Sequence, residues 1–138
     1  MYSKRCLGFS FITMLAALSA ACINITGDCG NEILKEIRSP TGKLKAVVFQ
    51  RDCGATTGFS THVSVLPSEQ QLPHEGGNVF AADTDHGKAP SGPGGGPIVD
   101  VSWTNETELL VRYDKRARAS QNQPALAKVH VRYETFSP

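Results

Sequence analysis

The chain contains no uninterrupted apolar run of the ~20 residues that a membrane-crossing helix requires. Its four cysteines, Cys6, Cys22, Cys29 and Cys53, include no C-x-x-C pair, so neither a structural zinc site nor a thioredoxin-type redox centre is indicated. Glycine is plentiful, yet the phosphate-binding order G-x-x-x-x-G-K-[ST] is missing. The residues after the Gly-Pro-Gly-Gly-Gly run at 92–96 also read as a strand, where a phosphate loop needs a helix. Charge of one sign is lacking too: 14 Lys and Arg stand against 13 Asp and Glu. A nucleic-acid binder usually shows a basic face and a high isoelectric point, so that partner is not expected. Aromatic residues are few, at 7%.

The N-terminus carries the strongest signal. Lys4 and Arg5 precede an apolar segment over residues 6–18 broken only by Gly8, Ser10 and Thr13, and small residues follow it. Such a segment is the length of a secretory signal core, so residues 1–21 are expected to be a cleavable export signal. Loss of Lys4 and Arg5 takes the formal charge from +1 to −1. Leu18-Ser19-Ala20-Ala21-Cys22 resembles a bacterial lipobox, with Leu18 one place earlier than usual. Cysteine parity supports that resemblance. Cys6 leaves with the signal, and three cysteines are an awkward number in an oxidising compartment. Lipidation of Cys22 would leave Cys29 and Cys53 as a disulfide pair. Residues 22–28 then form a tether, and residues 29–138 one domain.

Within that domain the apolar period is mostly two, the period of a strand. Ile33, Leu34 and Ile37 suit either a strand or a helical turn, and Pro40 with Gly42 marks a turn. Strands are expected over residues 44–50, 60–66, 78–82, 99–104, 109–113 and 127–134. In the last of these Ala127, Val129, Val131 and Tyr133 face one way and Lys128, His130, Arg132 and Glu134 the other, as in a sheet wet on one side. The fold class is therefore all-β, an antiparallel meander of about six strands closed into a small sandwich or partial barrel. The Ser-Pro-x-Gly-Lys turn before a strand looks like one propeller blade, but the chain is too short for the at least ~4 blades of a whole propeller.

Chemistry-bearing residues are sparse, and no catalytic residue, metal ligand or cofactor is assigned. Asp83, Asp85 and His86, with His74 upstream, are the one grouping that suits a small metal-binding protein or hydrolase. An EF-hand fails there because Lys88 and Gly94 fall where a glycine and a glutamate are needed. Cys53 has no local base to activate it as a nucleophile. Arg112, Lys115, Arg116 and Arg118 read as a basic hairpin tip able to touch anionic headgroups. The glycine-rich stretch over residues 89–97 reads as a flexible connector or a contact loop.

Arg51-Asp52-Cys53-Gly54-Ala55-Thr56-Thr57-Gly58-Phe59-Ser60-Thr61, with the later Gly-Pro-Gly-Gly-Gly-Pro loop, resembles a family of uncharacterised small exported proteins of Gram-negative bacteria. That resemblance implies an envelope address and carries no activity. Ile23 after the modified cysteine, in place of Asp, implies outer-membrane sorting facing the periplasm. The expected role is a non-enzymatic binding module, anchored to the membrane through Cys22. It would contact an envelope protein through the 53–61 connection and the glycine-rich loop.

Overall fold

The computed structural model describes residues 29–126 and 128–137. The expected export signal (residues 1–21), Cys22 and the rest of the expected tether up to residue 28, together with Ala127 and Pro138, lie outside the described residues. Eight strands occur among them: β1 Gly30–Arg38, β2 Leu44–Asp52, β3 Phe59–Pro67, β4 Phe80–Asp83, β5 Val99–Asn105, β6 Glu108–Asp114, β7 Arg118–Gln121 and β8 His130–Phe136. They form two sheets, ordered β1-β2-β3-β4-β7 and β5-β6-β8. The sheets stack as an open all-β sandwich. The residues that suited either strand or helix are strand β1, and β7, all four residues of which are exposed, has no apolar alternation to announce it.

Alternation dictates the core. Ala46 and Val48 of β2, Val63 and Val65 of β3, and Phe80 and Ala82 of β4 face Val101 of β5, Leu109, Val111 and Tyr113 of β6, and Val131 of β8. All of these are buried. At about 25 cal/mol per Å² of apolar surface removed from water, this layer is the main stabilising term. The outer face of β2 is covered as well. Val47, Phe49 and Leu66 form a second cluster under Leu72 of the β3–β4 connection. That two-sided burial explains why Ala46-Val47-Val48-Phe49 is a continuous apolar run and not an alternating one. Asn78 fixes the connection by taking the place of a strand: its Oδ1 accepts from Val65 N at 2.8 Å and its Nδ2 donates to Val65 O at 2.9 Å.

One pairing departs from the meander expected of the sequence. β6 and β8 are parallel, with Val111 opposite Tyr133. The turn after β6 does not fold back within its own sheet; it delivers β7 to the edge of the larger sheet beside β4. Gln123, two residues beyond β7, already donates through Nε2 to Val131 O and accepts from Val131 N at the start of β8, and the one intervening strand leaves β8 aligned with β6.

The register puts Gly30, Asp52, Phe59, Asp83 and Arg118 at one end of the larger sheet. The Cys29–Cys53 disulfide closes that same end. At the opposite end the two sheets are clamped together. Glu106 accepts hydrogen bonds from Ser39 Oγ, Thr41 N and Thr41 Oγ1, and Trp103 Nε1 donates to Ile37 O at 3.0 Å.

Candidate functional site

Two connections distant in sequence, β2–β3 and β4–β5, meet at the disulfide end beside the start of β7. They enclose a cleft of about 400 Å³ lined by Thr56, Thr57, Gly58, Phe59, Asp83, Thr84, His86, Gly95 and Arg118. Each connection is stiffened by its own hydrogen bonds. After Cys53, Asp52 Oδ1 accepts from Gly54 N at 2.9 Å, and Thr57 donates through N and Oγ1 to Gly54 O. Gly54 and Gly58 have φ of 107° and 66°, which side-chain-bearing residues rarely adopt.

The β4–β5 connection opens with a left-handed turn. Asp85, His86 and Gly87 have φ of 47°, 60° and 85° in succession. Left-handed Asp and His are tolerated and two left-handed residues in succession make a primed turn, closed here by Lys88 N donating to Asp85 O at 3.4 Å. Here Asp85 N donates to Asp83 Oδ1 at 2.8 Å, Gly87 N to Thr84 Oγ1 at 3.2 Å and Ala89 N to Thr84 O at 3.0 Å.

The glycine-rich loop is packed, not slack. Gly92 N donates to Gly96 O at 2.7 Å and Thr61 Oγ1 donates to Pro97 O at 2.8 Å. A Cβ added at Gly96 would come within 2.7 Å of Thr61 N, and one at Gly95 within 2.5 Å of the Phe59 ring. Glycine is needed for close approach to β3, so the flexible-connector reading is replaced by that of a loop pressed onto the sheet.

Arg118 completes the cleft. Its Nε and Nη2 donate to Asp83 Oδ2 at 3.0 and 2.6 Å, and the Asp83 carboxylate holds the guanidinium more firmly protonated than usual. The neighbouring Asp85 carboxylate accepts from Lys88 Nζ at 2.6 Å and is lowered below the ordinary carboxylate range chiefly by that bond. Within the basic hairpin tip Arg116 is likewise paired: it forks onto buried Asp114 through Nε at 2.9 Å and Nη2 at 2.7 Å, and draws that carboxyl down to about 2.

The four residues that suited a metal or hydrolytic centre are divided. Asp83 and His86 line the end cleft, and Asp85 is committed to Lys88. His74 lies in a different cleft on the outer face, with Asn31, Glu36, Lys45 and Leu72. Among the described residues no three His, Cys, Asp or Glu side chains are grouped as metal ligands. The Cys53 thiol is consumed by the disulfide.

One close pair escaped the sequence reading. Ser60 Oγ lies 2.8 Å from His62 Nε2, as a nucleophile and its base would. The signal was there in the i, i+2 spacing, which puts both residues on one face of β3. Their chemistry runs the other way. Gly77 N–H donates to His62 Nδ1 at 2.9 Å, so the neutral ring carries its proton on Nε2 and donates it to Ser60. Ser60 Oγ in turn donates to Arg51 O at 3.3 Å. A base needs a lone pair where this ring has a proton. Desolvation, helped by the Arg51 charge, lowers the His62 pKa to about 4 and keeps the ring neutral. His62 also stacks on Phe49 at 5.4 Å between centroids, so its role is to fasten the β3–β4 connection.

Comparison with protein-family models, curated proteins and solved structures finds no match to this chain.

Proposed function

We propose that the protein is a non-enzymatic binding module of the bacterial cell envelope. In this reading Cys22 is lipidated, and the chain is held at the outer membrane facing the periplasm. The end cleft is its contact site. The observation that carries the proposal is the convergence of the 54–58 connection, the left-handed turn at Asp85 to Gly87 and the packed glycine loop around one cleft. Loops fixed on a rigid sheet are where binding sites are usually built. The donors and acceptors of the Ser60–His62 pair favour binding over hydrolysis.

The location of the cleft supports an anchored role. Cys29 opens the described chain at the same end as the cleft, and Cys53 directly precedes the 54–58 segment that lines it. A seven-residue tether over residues 22–28 spans at most about 25 Å. A lipid on Cys22 therefore keeps the cleft close to the membrane surface.

Mass spectrometry of the processed N-terminus is expected to show an acylated Cys22. Capture of the cleft's ligand from envelope extracts is expected to fail when Arg118 is replaced by Glu, which repels Asp83 and splays the cleft. An unmodified N-terminus with undiminished capture by Arg118→Glu would remove both halves of the reading.

A further inference from the structure

We infer that the end cleft binds an uncharged saccharide, with Phe59 as the platform for a sugar ring; this deepens the proposed binding role and rests on it. Three observations carry the inference. Phe59 is 45% exposed although it is a large aromatic at the start of a strand. Its ring lies so close on the backbone of Gly95 that no Cβ fits between them, which holds it in place at the cleft wall. A rigid, half-exposed aromatic face is matched to the row of C–H groups on one side of a pyranose ring, through apolar contact and the negative face of the π system.

Charge is the second observation. The cleft contains ionic groups, but they compensate one another: Arg118 is bound to Asp83, and Lys88 to Asp85 at its rim. A site built for phosphate or for an acidic or basic peptide would present an unbalanced charge. A balanced pair still offers hydrogen bonds around its edge, because Arg118 has further N–H donors beyond the two that Asp83 accepts. Such planar donors and acceptors suit the equatorial hydroxyls of a sugar.

The third is the hydroxyl lining and size. Thr56, Thr57 and Thr84 edge the cleft, and among the described residues the Thr56 hydroxyl makes no hydrogen bond to protein. At about 400 Å³ the cleft falls in the ordinary range for small-ligand sites, and it is open enough to take one end of a longer chain. The apolar cleft between Leu34 and Ile98 lacks this polar rim, and the outer cleft around His74 lacks an aromatic wall.

The test is calorimetric or NMR titration of the full chain in detergent with N-acetylglucosamine tetramer and with cellotetraose. Inorganic phosphate and a hexalysine peptide serve as comparators. Saturable binding of at least one oligosaccharide is expected, with neither comparator competing. Phe59→Leu keeps an apolar side chain against Gly95 but removes the ring, and is expected to weaken binding by about tenfold; Phe59→Trp is expected to restore it. Vesicles carrying an uncharged glycolipid separate a membrane-borne sugar from a free one: binding to vesicles alone assigns the lipid-linked source. The inference is overturned if wild type binds none of these sugars, if phosphate or hexalysine displaces them, or if Phe59→Leu binds as wild type does. Ligand capture that persists without sugar binding would overturn the saccharide and leave the envelope-binding reading standing.

Discussion

His62 shows how one side chain acquires a role that its identity does not announce. Its ring is held by Gly77 N–H on one nitrogen and Ser60 on the other, over Phe49. With a folded pKa of about 4 against an ordinary 6.5, the unfolded chain takes up a proton that the folded chain refuses between those values. Stability is therefore complete above pH 6.5 and falls as the pH drops toward 4. Solvent screening of a partly exposed ring reduces the full linkage to roughly 1–2 kcal/mol. Urea midpoints at pH 7 and pH 4.5 are expected to separate by more in wild type than in His62→Gln. Asp114 works in the same sense from the opposite charge: its carboxylate, lowered to about 2 by Arg116, adds stability above the ordinary 3.8 that disappears as the pH falls toward 2. The presence of a histidine in an alternating strand was legible in the sequence. Its tautomer was not, because that depends on a backbone N–H fifteen residues away.

Strands and loops were read with different success. β3, β5, β6 and β8 follow from period-two apolar patterning and β2 from its continuous apolar run, and the β5–β6 hairpin has the alternation expected of it, with Val101 opposite Val111. Of the two readings of the glycine loop, the flexible connector fails, because composition reports freedom while packing decides whether freedom is used. Gly96→Ala is expected to destabilise by about 1–3 kcal/mol through overpacking against Thr61 and Ser60. Thermal unfolding measures this directly, and an unchanged midpoint would contradict the close approach. The disulfide ties the first strand to the end of the second across 24 residues. Replacing Cys29 and Cys53 with serine is expected to lower stability by roughly 3–3.5 kcal/mol on chain-entropy grounds. It should also loosen residues 54–58, visible as faster amide exchange there than in β3.

The whole molecule is a sandwich whose two ends do different work. Trp103 and Glu106 lock the sheets together at one end, and the cleft occupies the other. Leu109→Ala, at a fully buried position shared by both sheets, is expected to cost about 2–5 kcal/mol by chemical denaturation. Trp103→Phe keeps an aromatic ring but frees Ile37 O, and is expected to cost about 1 kcal/mol while leaving the ligand binding proposed for the far end unchanged. The residues singled out in the sequence, Asp83, His86 and the 53–61 and 89–97 segments, do come together, joined by Arg118 from a strand that the sequence did not reveal. His74 does not join them, because the β3–β4 connection folds over the outer face and carries it away.

The amino-acid sequence by itself determined the all-β class and the inward faces of the main strands, because both depend on local periodicity, which a single chain displays. It offered the pairing of Cys29 with Cys53 only on the condition that Cys6 and Cys22 are otherwise used; the structure joins the two directly. Tertiary structure alone decided that β7 leaves its hairpin partner's sheet, that β8 returns parallel, and that Asp83 is bound to Arg118 thirty-five residues on. Those outcomes depend on which exposed, short or polar segments find a free sheet edge after the apolar core has formed. No local pattern encodes that choice.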